Sequence, residues 1–328
     1  MAARYLEAED RAGVFVPHAF EEHTVDLGEV RLNYAVAGDP ARPALLLVPA
    51  QSESWWGYEP ALPLLAEHFQ CFAVDLRGQG RSTWTPGRYT LDNFGNDLVR
   101  FLDLVVGRPV VAAGNSSGGV LAAWLAAFAK PGQIRGAVLE DAPLFASEAT
   151  TSCGTPIRQG MGPSMLWWNK WLGDQWSIGD FDGLMKAVPT ELPGYLLQAR
   201  QHMFPPLPGP RPDGPPQNLR EYDPEWARAF TSGLATAACD HENLLSRIKA
   251  PVLFTHHWHG QDEQSGATLG AISDLQVRRA RELVEAAGQS FTLRSFPDAA
   301  HSMHNRDPHT YSDTVIEWAS ALSPAAAG

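Results

Sequence analysis

The chain has 328 residues, 44% of them hydrophobic, and a formal net charge of −12. That is enough apolar material for a large core, in a single α/β domain carrying an insertion. The acidic balance excludes nucleic acid and anionic membrane surfaces as partners, since both call for basic patches. Cys71, Cys153 and Cys239 are widely spaced and form no CxxC pair, so neither a zinc site nor a disulfide framework is indicated and a reducing, cytoplasmic setting fits. The opening residues are charged and lack the apolar core of a signal peptide. No apolar stretch is long enough to span a bilayer, so a soluble protein is expected.

Residues 23–27 and 30–37 flank Gly28 like an antiparallel hairpin. From Ala44 onward, short β-rich runs alternate with helical patterns, the sign of a mostly parallel sheet wrapped by helices. The runs are 44–48, 72–74, 109–113, 136–139, 251–255 and 291–296, which with the hairpin makes eight strands. Helical spacing marks 58–68, 91–106, 117–130, 274–287 and 308–322, with Asp92 placed to cap the second of these and Gly288 to stop the fourth. Residues 145–246 break the rhythm. They hold Trp167, Trp168, Trp171, Trp176 and Trp226, no β-like run, and a Pro/Gly-rich stretch at 205–216 that cannot be helical. The expected organisation is a core over 1–144, a helical cap over 145–246 inserted after strand 6, and the rest of the core over 247–328. The Ala-rich end, 323–328, reads as a tail.

The turn Gly114, Asn115, Ser116, Ser117, Gly118 follows a strand and opens a helix, the context that gives a GxSxG match meaning. Such a turn forces the serine into a strained backbone conformation, lets helix and strand approach, and exposes the hydroxyl where the helix dipole favours negative charge. Ser116 is therefore the expected nucleophile; Ser117, one residue late, would give its backbone N–H to an oxyanion hole. A second N–H should come from the loop after the first core strand, at Gln51 or, less favourably, Ala50. A serine hydroxyl needs a base. In triads built on this turn the histidine comes last in the chain, after the final strand; His301, at the loop's turn before the last helix, is the expected base, and His304, three residues on, is the alternative.

The acid has three candidates. The loop after 251–255 offers Asp262, and the end of 136–139 offers Glu140 and Asp141. Two adjacent carboxylates ending a buried strand need a partner, because buried charge is costly unpaired. Only one of the two can face the site. Asp141 is favoured; Glu140 and Asp262 are the alternatives, and a bond to Arg135 or a helix cap is the structural reading. The run 75–82 (DLRGQGRS) has neither the lysine of a phosphate loop nor dinucleotide spacing, and reads as a tight turn. The set His256, His257, His259 and Asp262 suits no common metal site, so no metal is expected.

The runs 75–82 and 114–119 with the late His301 resemble the α/β-hydrolase superfamily across nearly the whole chain. Ser54-Trp55-Trp56, 78–86 (GQGRSTWTP), 91–101 (LDNFGNDLVRF), 140–143 (EDAP), 173–179 (GDQWSIG) and 273–276 (SDLQ) closely resemble the bacterial zearalenone hydrolases. That resemblance implies hydrolysis of the macrocyclic ester of zearalenone, a resorcylic acid lactone, followed by spontaneous decarboxylation. It implies no cofactor and a homodimer or larger homo-oligomer. The chain also looks like fungal lactonases and haloalkane dehalogenases in carrying the acid after the earlier strand, which favours Asp141, two residues before Pro143. Trp55, Trp167, Trp168, Trp171 and Met303 are the expected substrate-binding residues, since an aromatic lid suits a bulky, partly aromatic ester.

Overall fold

A computed structural model describes residues 5–205 and 214–322. Most of the Pro-rich run, the Ala-rich end and the first four residues lie outside them. An eight-stranded sheet runs in the order β1-β2-β4-β3-β5-β6-β7-β10. Its strands are β1 (Glu22–Asp26), β2 (Arg31–Ala37), β3 (Ala44–Val48), β4 (Gln70–Val74), β5 (Val110–Asn115), β6 (Ile134–Glu140), β7 (Val252–His256) and β10 (Phe291–Ser295). β1 pairs antiparallel with β2 and β2 with β4, while the pairings from β4 through β10 are parallel. A separate two-stranded ribbon joins β8 (Gly260–Gln261) to β9 (Thr268–Leu269).

The central strands are buried on both faces, which is why they read as continuous apolar runs rather than alternations. Parity sorts their side chains into two cores. Ala44, Leu46 and Val48, Val110 and Ala112, Ala137 and Leu139, and Val252 and Phe254 enter one cluster. Leu45 and Leu47, Val111 and Ala113, Val138, and Leu253 enter the other. The second cluster is closed by α1 (Leu62–Ala66), α12 (Pro308–Ser320) and the short turn at Trp55–Tyr58. The first takes α2 (Leu91–Phe101), α3 (Ser117–Phe128) and α10 (Asp274–Ala286). α2 is capped by Thr90, whose hydroxyl accepts from the Asn93 N–H; Asp92, the expected cap, instead accepts from Trp124 Nε1 at 2.9 Å.

Between β6 and β7 lie α4 (Gly162–Leu172), α5 (Phe181–Glu191), α6 (Gly194–Met203), α7 (Gln217–Arg220), α8 (Glu225–Ser232) and α9 (His241–Leu245). They share the first apolar cluster with the sheet: Trp226 of α8, fully buried, sits 4.4 Å ring to ring from Phe94 of α2. α11 (Met303–Arg306) follows the His301 loop.

The run 75–82 is a structural turn, as its glycines suggested. Buried Asp75 accepts from the Trp55 N–H (2.7 Å), Asn33 Nδ2 (2.9 Å) and the Arg81 N–H (3.0 Å). A Cβ on Gly80 would lie 2.1 Å from that carboxylate. Buried Arg77 forks onto Asp97 of α2 through Nε (2.6 Å) and Nη2 (2.8 Å). All three cysteines are free thiols. Among the described residues no helix is long and apolar enough to cross a membrane.

Candidate active site

Ser116 sits at φ 54°, ψ −121°, a conformation costly for any residue with a Cβ. Its neighbours show why the turn needs glycines. A Cβ on Gly114 would lie 2.1 Å from the Gly118 carbonyl oxygen, and one on Gly118 would lie 2.2 Å from the carbonyl oxygen of Val48. The Ser116 N–H donates to the Glu140 carbonyl at 2.8 Å, tying the turn to the end of β6. The serine stands at the start of α3, and the Ser117 N–H occupies the first helical position, where no intrahelical acceptor exists.

Ser116, Ser117, Gln51 and His301 line one cavity of about 420 Å³, within the range of roughly 300–1,000 Å³ typical of small-molecule sites. The Gln51 backbone N–H has no acceptor among the described residues. The Gln51 side chain donates to Tyr222 Oη at 2.7 Å, pinning this loop to the inserted helices. Ala50 uses its carbonyl to accept from Gln79 Nε2 and the Glu53 N–H.

His301 Nδ1 donates to Asp141 Oδ2 at 2.7 Å, both side chains buried. Burial pushes the Asp141 carboxyl up, but facing His257 and the bond from His301 outweigh it and hold it below the ordinary value. Burial likewise pushes the His301 imidazole down, and the Asp141 bond and charge reverse this, leaving it raised. Strand parity explains the division between the adjacent acids. Val138 enters the second cluster, so Glu140 points the same way, toward the side where His304 stacks on Tyr58 at 4.1 Å. Asp141 lies past the strand end at φ 45° and turns to His301 instead. Glu140 accepts from His304 Nδ1 (2.8 Å) and the His304 N–H (3.0 Å). Asp262 is spent on the Ser265 N–H and hydroxyl.

Of the expected substrate contacts, Trp167 and Trp168 line the cavity; Trp55, Trp171 and Met303 do not. Trp55 is fully buried beneath the site in the second cluster, its Nε1 donating to Glu22 at 2.8 Å. Met303 is buried in the same cluster. Trp171, one turn beyond Trp167, reaches outward and donates to Glu191 at 2.8 Å. Sequence reasoning missed Glu53, Ser147, Arg200, Phe204 and Arg306, all in the lining. Phe204 lies edge-on to His301 at 5.5 Å. Trp167 and Ser147 contribute to this lining, while the Trp167 Nε1 and Ser147 Oγ atoms themselves are buried.

His256 and His259 do come together, with Asp274 rather than Asp262. Their rings stack 3.8 Å apart and 16° from parallel. Two near-parallel rings cannot both aim an in-plane lone pair at one ion, so the arrangement reads as a stacked pair facing Asp274, 3.2 Å from His259 Nε2. His257 turns away and donates from Nδ1 to the Ala300 carbonyl.

The model of the Alpha/beta hydrolase family matches residues 45–314, and the chain belongs to that family. It is 29% identical over 103 residues to 3-oxoadipate enol-lactonase 2 of Acinetobacter baylyi, covering 31% of this chain and 39% of that protein. It is 32% identical over 126 residues to bifunctional epoxide hydrolase 2 of Sus scrofa, covering 38% of this chain and 22% of that one. The matched stretches thus span well under half of these relatives' lengths. Among solved structures, an esterase from Rhodococcus sp. superposes with a TM-score of 0.65 at 21% identity, over 93% of this chain and all of that one. The enol-lactonase from Burkholderia xenovorans does so with a TM-score of 0.62 at 18% identity, over 91% of this chain and all of that one. At such identities these likenesses speak to fold alone.

Proposed function

We propose that this chain is a serine hydrolase that opens a bulky aromatic lactone, with zearalenone as the substrate to test. Ser116 Oγ attacks the lactone carbonyl while His301 Nε2 takes its proton, and the Ser117 and Gln51 N–H groups receive the oxyanion. Asp141 holds the imidazole in the tautomer that leaves Nε2 free. The proton passes to the departing alkoxide, the ring opens as an acyl-enzyme, and water, activated by the same histidine, releases the acid.

The observation that carries this reading is the buried His301–Asp141 hydrogen bond in the cavity that also holds strained Ser116. The substrate class is supported by the wall around it, where Met161, Met165, Trp167, Trp168, Phe181 and Phe230 offer apolar and aromatic surface. Similarity to an enol-lactonase points the same way.

Liquid chromatography of zearalenone after incubation with wild type and Ser116→Ala tests the proposal. Loss of substrate with wild type alone is expected. Persistence of zearalenone while a simple aryl ester is turned over would reject the lactone and leave an esterase.

A further inference from the structure

Buried His304 and Glu140, with half-buried Glu53, form a second acid–imidazole array beside His301, and the mechanism above gives it no task. His304 is fully buried and held by Glu140. Its Nε2 faces Glu53 Oε2 at 3.7 Å. The other Glu53 oxygen accepts from Ser302 Oγ at 2.9 Å, and Ser302 is the residue after His301. Asn115, the residue before the serine, donates from Nδ2 to the His301 carbonyl at 2.8 Å, and its Oδ1 lies 3.2 Å from Ser302 Oγ. Glu53 also belongs to the Gln51 loop, its N–H donating to Ala50. One carboxylate therefore joins the loop of the oxyanion candidate to the loop of the histidine. Gly57 lies against the pair: a Cβ there would make ordinary contact with Glu53 Oε2 at 3.4 Å and His304 Nε2 at 3.7 Å.

A carboxylate that lines a largely apolar cavity is unfavourable unless something compensates it; Arg306, in the same lining, feels its charge, and Ser302 and His304 tie that charge to the histidine loop. We propose that Glu53 is a positioning residue for His301: held by the Ser302 hydroxyl and facing His304, it fixes the histidine loop and places negative charge near the imidazolium formed when the serine is deprotonated. This rests on the Ser116–His301 reading. The groups that face His301 and this array are Asp141 and Glu140 from the end of β6, His257 after β7, Glu53 from the loop after β3, and His304 and Arg306 from α11. Tyr58 and Tyr311 pack on the His304 ring. The charges of Glu53 and Glu140 act on His301 in the same direction as Asp141.

The test follows the rate at which a fluorophosphonate labels Ser116 across pH, a readout that needs no substrate. Labelling requires neutral His301, so its midpoint reports the histidine. Glu53→Gln keeps an acceptor for Ser302 and removes the charge; its midpoint should move at least half a pH unit toward acid, with a several-fold slower plateau. Glu53→Asp, which keeps the charge, should hold the wild-type midpoint. A Glu53→Gln profile that overlays wild type, or equal shifts in both variants, would overturn the proposal. Should Glu53→Gln not fold, Ser302→Ala decides: several-fold slower labelling at an unmoved midpoint is expected, and wild-type behaviour contradicts it. Wild type left unlabelled at Ser116 would instead reject the underlying serine mechanism.

Discussion

Burial alone would raise Asp141 and lower His301, and the hydrogen bond between them reverses both. For a general base the sign matters. His301 works when neutral, and its raised value places the acid limb of kcat/KM above about 6.5, the ordinary histidine value. A limb clearly below that would contradict the pairing. Asp141→Asn should lower kcat on the order of 10⁴-fold, the usual effect of losing the orienting acid, and should move the limb toward acid. Asp262→Asn should leave the rate unchanged, because Asp262 only caps the turn at Ser265; the opposite ranking in steady-state kinetics would displace Asp141. The two acids beside one another in sequence could not be told apart by composition. Parity along β6 separates them once the strand's end is known, and the positive φ of Asp141 is what no sequence pattern announced.

The strand–turn–helix at 110–128 leaves no freedom in its glycines. Gly114→Ala would press a methyl against the backbone of Gly118, and since backbone cannot step aside, a loss of about 3 kcal/mol in denaturant unfolding is expected; unaltered stability would contradict the close approach. Thr90→Ala, removing only the cap of α2, should cost about 1 kcal/mol. The regular elements were legible because periodicity reports burial directly: every strand run found its strand to within two residues. Side-chain destinations were less so. Trp55 follows Ser54 into a turn that points beneath the sheet, and Trp171 shares the face of Trp167 yet stands a turn past the cavity. A tryptophan in sequence shows that it packs, not what it packs on. The lining residues the sequence hid, Glu53, Ser147, Arg200, Phe204 and Arg306, come from separate stretches that only the inserted helices bring together.

At the scale of the molecule, two buried histidines give stability opposite pH dependences. His241 accepts the Phe145 N–H at 2.6 Å, and burial drives it down to about 4. Its folded value lies below the unfolded one of about 6.5, so the unfolded chain takes up the proton first. The stability it contributes is present above 6.5 and lost as pH falls toward 4. His304, raised by Glu140 and Glu53 against the effect of burial, contributes below 6.5 and loses that contribution as pH rises through its folded value. His241→Gln, which keeps an acceptor, should lose less melting temperature than wild type between pH 6.5 and 4.5; parallel curves would contradict this. The inserted helices share their core with the sheet, so a single melting transition should report both. The central claim is that Ser116 is a nucleophile activated by His301. Its most direct measurement is mass spectrometry of the protein after fluorophosphonate treatment: one adduct on the peptide carrying Ser116, absent in Ser116→Ala and slowed by orders of magnitude in His301→Ala. An adduct on another residue, or labelling indifferent to both substitutions, would contradict it.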